Sequence, residues 1–145
     1  MLFRSKDPRT KAHQQKLRAE LDRKLTSVTQ RIADMNKMHI DVQAISTSPL
    51  QYYYGLDADL GRQISRKINE RLAEITATHT DRFAPLATLP MQDPDLALEE
   101  LNYTMNKLGF FGIEIGTNVR GLELSDPMFE KLFADRKSTR LNSSH

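Results

Sequence analysis

The chain has 145 residues, no cysteine, and 21 basic against 19 acidic side chains. Disulfide frameworks and thiolate chemistry are therefore excluded. No stretch approaches ~20 apolar residues and no apolar run opens the chain, so a membrane-spanning helix and a signal peptide are not expected, and a cytoplasmic enzyme with no membrane partner is.

Asp7-Pro8 places an N-cap before a first-turn proline and predicts a charged helix to about Leu25. Its cluster of Arg4, Lys6, Arg9, Lys11, Lys16, Arg18, Arg23 and Lys24 reads first as a solvated face; a collar for anionic substrates is the sharper alternative. Ser27 and Gln30 have capping-box spacing, with Ile32, Met35 and Met38 in helical phase behind them. A first strand follows from Asp41 to Ser46. Leu60, Ile64, Ile68, Leu72 and Ile75 form the core stripe of an amphipathic helix that Thr78 to Asp81 ends. A second strand spans Phe83 to Thr88. Asp93-Pro94 opens the next helix, with Ala97, Leu101, Met105 and Leu108 as its apolar face and Gly109 at C′. A third strand runs from Gly112 to Gly116, and Ser125-Asp126-Pro127 opens a last helix through Phe129, Leu132 and Phe133. Residues 135–145 have no apolar periodicity and match one reading frame of a common sequencing adapter throughout, so they are set aside as an artefact. That tail carries three basic residues and one acid; without it 18 basic and 18 acidic residues remain, and nothing in the charge points to nucleic acid.

Three apolar runs, each ending in small polar residues and followed by a helix, are repeated βα units and imply a parallel sheet. Ligands of such sheets bind at the carboxyl ends of the strands. Ser46, Thr88, Thr117 and Asn118 fall there, able to hydrogen-bond a substrate carboxylate or to orient a metal ligand; capping the next helix is the plainer alternative. Tyr52, Tyr53 and Tyr54 follow the first strand at the same end, placed to wall an aromatic substrate, or else to pack at a rim or subunit contact. Glu114 alternates with Ile113 and Ile115 and is expected to point into the interior, as a structural carboxylate or one that supports a ligand-holding residue. Gly112, Gly116 and Gly121 do not make a phosphate-binding pattern. A catalytic zinc needs three ligands on one face. His13, His39, His79 and His145 do not supply them, so no metal ligand and no catalytic residue is assigned.

Ile45-Ser46-Thr47-Ser48-Pro49, the helix core Lys67 to Ala73, Asp81-Arg82-Phe83, Thr88-Leu89-Pro90-Met91-Gln92-Asp93-Pro94 and Gly112 to Thr117 occur in that order. Together they resemble the decarboxylase branch of the amidohydrolase superfamily, typified by aminocarboxymuconate-semialdehyde decarboxylase, over about Ser27 to Ala134. The resemblance implies an α/β fold, here a partial (β/α)8 TIM barrel of about three parallel strands with crossover helices and a long N-terminal helical segment. Residues 1–134 would be that partial barrel, with 1–26 a charged helical insertion and 27–134 the βα units. The resemblance also implies a metal-dependent carboxy-lyase acting on a small aromatic or dienoic carboxylic acid, a divalent metal, typically zinc, in the full-length parent, and a homo-oligomer. The His-x-His and His-Pro motifs that carry the family's metal ligands are absent, and the matching stretch is roughly strands two to four of eight. Arg4 matches the family's upstream arginine too poorly to inherit a role. The expectation is an internal fragment, inactive alone and binding no metal. The alternatives are a fragment of a hydrolase of the same superfamily and a small non-catalytic α/β binding module.

Overall fold

The computed structural model describes residues 12, 13, 15–17, 19 and 26–134. The basic cluster apart from Lys16, most of the charged N-terminal helix, and the 135–145 tail lie outside the described residues. The chain divides into two compact units between Gln43 and Ala44. In the first, helix α1 (Val28–Lys37) starts where the Ser27 hydroxyl accepts the Gln30 N–H at 3.2 Å. Only half of the expected capping box forms. The Gln30 side chain does not reach back but donates to Asp34, one turn on, at 2.9 Å. The helix ends at Lys37, with Met38 as C-cap, and His39 takes a left-handed φ of 56°.

The second unit carries the sheet, apart from the first residue of its first strand. Strands β1 (Gln43–Ile45), β2 (Phe83–Ala87) and β3 (Gly112–Ile113) lie in the order β1-β2-β3. β2 and β3 are parallel, with Leu86 opposite Gly112 and Ala87 opposite Ile113. The Glu114 N–H carries the ladder one bond further, to the Ala87 carbonyl at 2.9 Å. Beyond it the expected third strand gives way to a hairpin that periodicity did not reveal, β4 (Asn118–Val119) against β5 (Leu122–Glu123). Its turn residues, Arg120 (φ 55°) and Gly121 (φ 86°), are both left-handed, as a type I′ turn requires. The last helix begins as a 3-10 turn at Pro127–Phe129, capped by Asp126.

Helices α2 (Ala58–Thr76) and α3 (Pro94–Asn106) pack on each other, and α2 packs on β2. Asp57 and Asp93 cap them, each accepting two backbone N–H groups of the first turn. The buried line of α2 is not the expected leucine and isoleucine stripe. Gly61, Ser65, Asn69 and Thr76 are buried; Ile64, Ile68, Leu72 and Ile75 are half-buried, and Leu60 is exposed. Small or polar side chains at the contact let the helix backbone approach the residues after β2. A β-carbon on Gly61 would lie 2.0 Å from the Gln92 side-chain nitrogen. The apolar core sits under α3, where Leu89, Met91, Ala97, Leu101, Val119, Phe129 and Leu132 are buried together.

Candidate functional site

At the carboxyl ends of β1 and β3 a carboxylate collects two hydroxyls. Ser46 Oγ donates to Glu114 Oε2 at 2.5 Å, and Tyr52 Oη donates to Glu114 Oε1 at 2.7 Å. Tyr54 Oη accepts the Gly116 N–H at 3.1 Å. Between the two tyrosines, Tyr53 has a φ of 54°, and its neighbours' rings stack with centroids 5.4 Å apart and planes 24° from parallel. Gly116 is what lets them close over the strand end, since a β-carbon there would come within 3.1 Å of the Tyr54 ring. Burial pushes the Tyr52 hydroxyl far above its ordinary pKa of 10.0, and the hydrogen bond to Glu114 and its negative charge push the same way. Burial also raises Tyr54, partly offset by the Gly116 N–H. Both are neutral phenols at neutral pH.

Of the residues marked in the sequence, Ser46 belongs to this cluster, with its hydrogen committed to Glu114. Tyr53 is more exposed than its neighbours and offers its carbonyl to the Gln92 amide at 3.5 Å. Thr88 is buried at the end of β2. The Asn69 side-chain amide grips its peptide like an added strand, accepting its N–H and donating to its carbonyl, both at 2.9 Å, while Thr88 Oγ1 finds no partner among the described residues. Thr117 and Asn118 are exposed and line a shallow groove of about 660 Å³ with Gly121, Glu123 and Ser125. The five are thus not one cluster. Tyr52, Tyr54 and Glu114 form the polar centre; the tyrosines were marked by their place after the first strand and Glu114 by its alternation with Ile113 and Ile115, but nothing in the sequence paired them.

A larger groove, about 770 Å³, lies toward the amino ends of the strands, where Phe83, Pro85, Lys107 and Phe111 line it. It lies away from the ends where βα scaffolds bind ligands. A divalent metal does not fit the residues present. No three His, Asp or Glu side chains come together among the described residues, and both oxygens of Glu114 already serve as acceptors. His39 and His79 precede β1 and β2, at the wrong ends, and His79 stacks edge-on to Phe83.

A family model described as amidohydrolase matches residues 11–137, and the chain belongs to that family. A 2-amino-3-carboxymuconate-6-semialdehyde decarboxylase of Dictyostelium discoideum is 30% identical over 116 residues, which is 80% of this chain and 32% of that protein. A gamma-resorcylate decarboxylase of a Rhizobium species is 52% identical over 50 residues, 34% of this chain and 15% of its own. Among solved structures, 5-carboxyvanillate decarboxylase from Sphingomonas paucimobilis superposes with a TM-score of 0.73 at 28% identity, covering 80% of this chain and 35% of that one. A dihydroxybenzoic acid decarboxylase from a Polaromonas species, with bound manganese and 2-nitroresorcinol, gives 0.74 at 25% identity, covering 81% and 37%. The expected α/β fold, part of an amidohydrolase barrel, is the one found. The chain spans about a third of the length of the Dictyostelium relative.

Proposed function

We propose that this chain is part of a metal-dependent decarboxylase of the amidohydrolase superfamily, a carboxy-lyase for a small aromatic or dienoic carboxylic acid, and that it turns nothing over alone. The observation that carries this reading is that relatives found by sequence and relatives found by fold are both decarboxylases of such acids. The cluster at the carboxyl ends of β1 and β3 supports it, because barrel enzymes work at that end. In the complete protein a divalent cation, zinc by family resemblance or manganese as in the Polaromonas relative, would be held by ligands that do not come together among the described residues. It would polarise the substrate and activate a water. The role left to this segment is substrate binding, by Ser46 within the tyrosine cluster and by Tyr53, Thr88, Thr117 and Asn118 elsewhere at the carboxyl ends of the strands. The complete protein is further proposed to be a cytoplasmic homo-oligomer without nucleic-acid or membrane partners, and residues 135–145 to be foreign to it.

The test is to express the full reading frame containing residues 1–134, load it with Zn2+ or Mn2+, and follow CO2 release from 2,6-dihydroxybenzoate, 5-carboxyvanillate and aminocarboxymuconate semialdehyde. CO2 from any of them supports the reading, as does silence of the 145-residue chain in the same assay. Ester or amide cleavage without CO2 would move the protein to the superfamily's hydrolases.

A further inference from the structure

Each hydroxyl of the cluster has one hydrogen to give. Ser46 and Tyr52 give theirs to the two oxygens of Glu114. What they can still offer outward is lone pairs, so this side of the cluster accepts hydrogen bonds and repels anions. Tyr54 is the opposite case. Its oxygen takes the Gly116 N–H at 3.1 Å, and nothing among the described residues accepts its own hydrogen. It is half-buried, stacked on Tyr52, and fixed by the backbone of the strand end, so its direction is set before any ligand arrives.

We propose that Tyr54 is the hydroxyl that donates to the acid group of the substrate, and that Glu114 is a positioning residue that enforces this choice by occupying the hydrogens of Ser46 and Tyr52. The proposal rests on the reading above that the substrate is a carboxylic acid, and it reassigns Ser46 from carboxylate donor to acceptor for a hydroxyl of the substrate. A hydrogen bond from a neutral donor to a charged acceptor contributes roughly 1.5–3 kcal/mol, so its loss is read as a change of about ten- to a hundredfold in affinity.

The complete metal-loaded protein carrying this segment is titrated calorimetrically with benzoate, a carboxylate without hydroxyls, and with resorcinol, its hydroxyls without the carboxylate. In Tyr54→Phe, benzoate affinity falls at least tenfold and resorcinol affinity changes less than threefold. In Glu114→Gln the new amide donates to Ser46 or Tyr52 and releases that hydroxyl's hydrogen. Benzoate then binds as well as to wild type or better, and adding Glu114→Gln to Tyr54→Phe restores part of the lost affinity. Equal losses for both ligands in Tyr54→Phe, unchanged benzoate binding, or a wild type that binds neither would each overturn the proposal. Should Tyr54→Phe fail to fold, a tenfold loss of benzoate in Glu114→Gln overturns it alone. Discrimination as expected with no CO2 released would remove the decarboxylase reading and leave Tyr54 as the acid-binding residue.

Discussion

Glu100 is fully buried, and two neighbours make that tolerable. Arg66 Nε donates to one oxygen at 2.7 Å, Asn69 Nδ2 to the other at 2.8 Å, and the Arg66 guanidinium lies 3.4 Å over the Tyr103 ring, whose hydroxyl donates to Glu70 at 3.0 Å. The pair is asymmetric, since the Arg66 side chain is 32% exposed and Glu100 is not exposed at all. Arg66→Met therefore strands a buried carboxylate and is expected to cost about 3–5 kcal/mol, read as a lower urea midpoint, whereas Glu100→Gln leaves an arginine that water can reach and costs less. Gly116→Ala is expected to cost about 1–3 kcal/mol and to change the near-ultraviolet dichroism of the tyrosines, because the new β-carbon meets the Tyr54 ring and the Asn118 carbonyl. Tyr52 also makes stability depend on pH. Its folded pKa lies above the unfolded value, so its contribution is full below pH ~10 and is lost as pH climbs through the raised value. Tyr52→Phe should flatten that alkaline limb. Little of this cluster was legible in the sequence. Asp93 could be read as a cap because its partners are two and three residues away. Glu114 could not be paired with Ser46 and Tyr52, which are 68 and 62 positions distant.

At the scale of elements, the order of strands and helices was legible because turn and cap chemistry is local. Asp57, Asp93 and Asp126 stand at element starts, and Asp93→Ala should cost about 1 kcal/mol of stability, measured by thermal or urea unfolding. Helix α2 shows what periodicity misses. Its isoleucine stripe fixed the helix but not the face that packs closest, because a contact made by Gly61, Ser65 and Asn69 carries no hydrophobic signal. The β4–β5 hairpin escaped for a different reason: two-residue strands are too short to alternate, and Arg120 stands where asparagine usually marks the turn. A left-handed backbone costs an ordinary residue about 1–2 kcal/mol and asparagine less, so Arg120→Asn should raise stability by about 1 kcal/mol in the same unfolding measurement.

For the whole molecule, the sheet order leaves β1 and β3 each hydrogen-bonded to a strand on one side only among the described residues. Unpaired edges invite intermolecular pairing, and Phe111, just before β3, is 76% exposed. Residues 1–134 expressed alone are expected to aggregate, visible as growing light scattering, and the complete reading frame to stay in solution. The clamp that Asn69 places on Thr88 bears on how such a chain finds its structure. An apolar helix can slide along a strand at little loss, since one methyl contact replaces another. Here a slip of one residue would leave the Asn69 amide, the Thr88 peptide and the Glu100 carboxylate buried without partners, several unmade bonds at about 1–3 kcal/mol each. The helix–strand–helix unit thus has a single register it can settle into, set by contacts only 19 and 31 residues apart. Strands added later would inherit that alignment as a ruler.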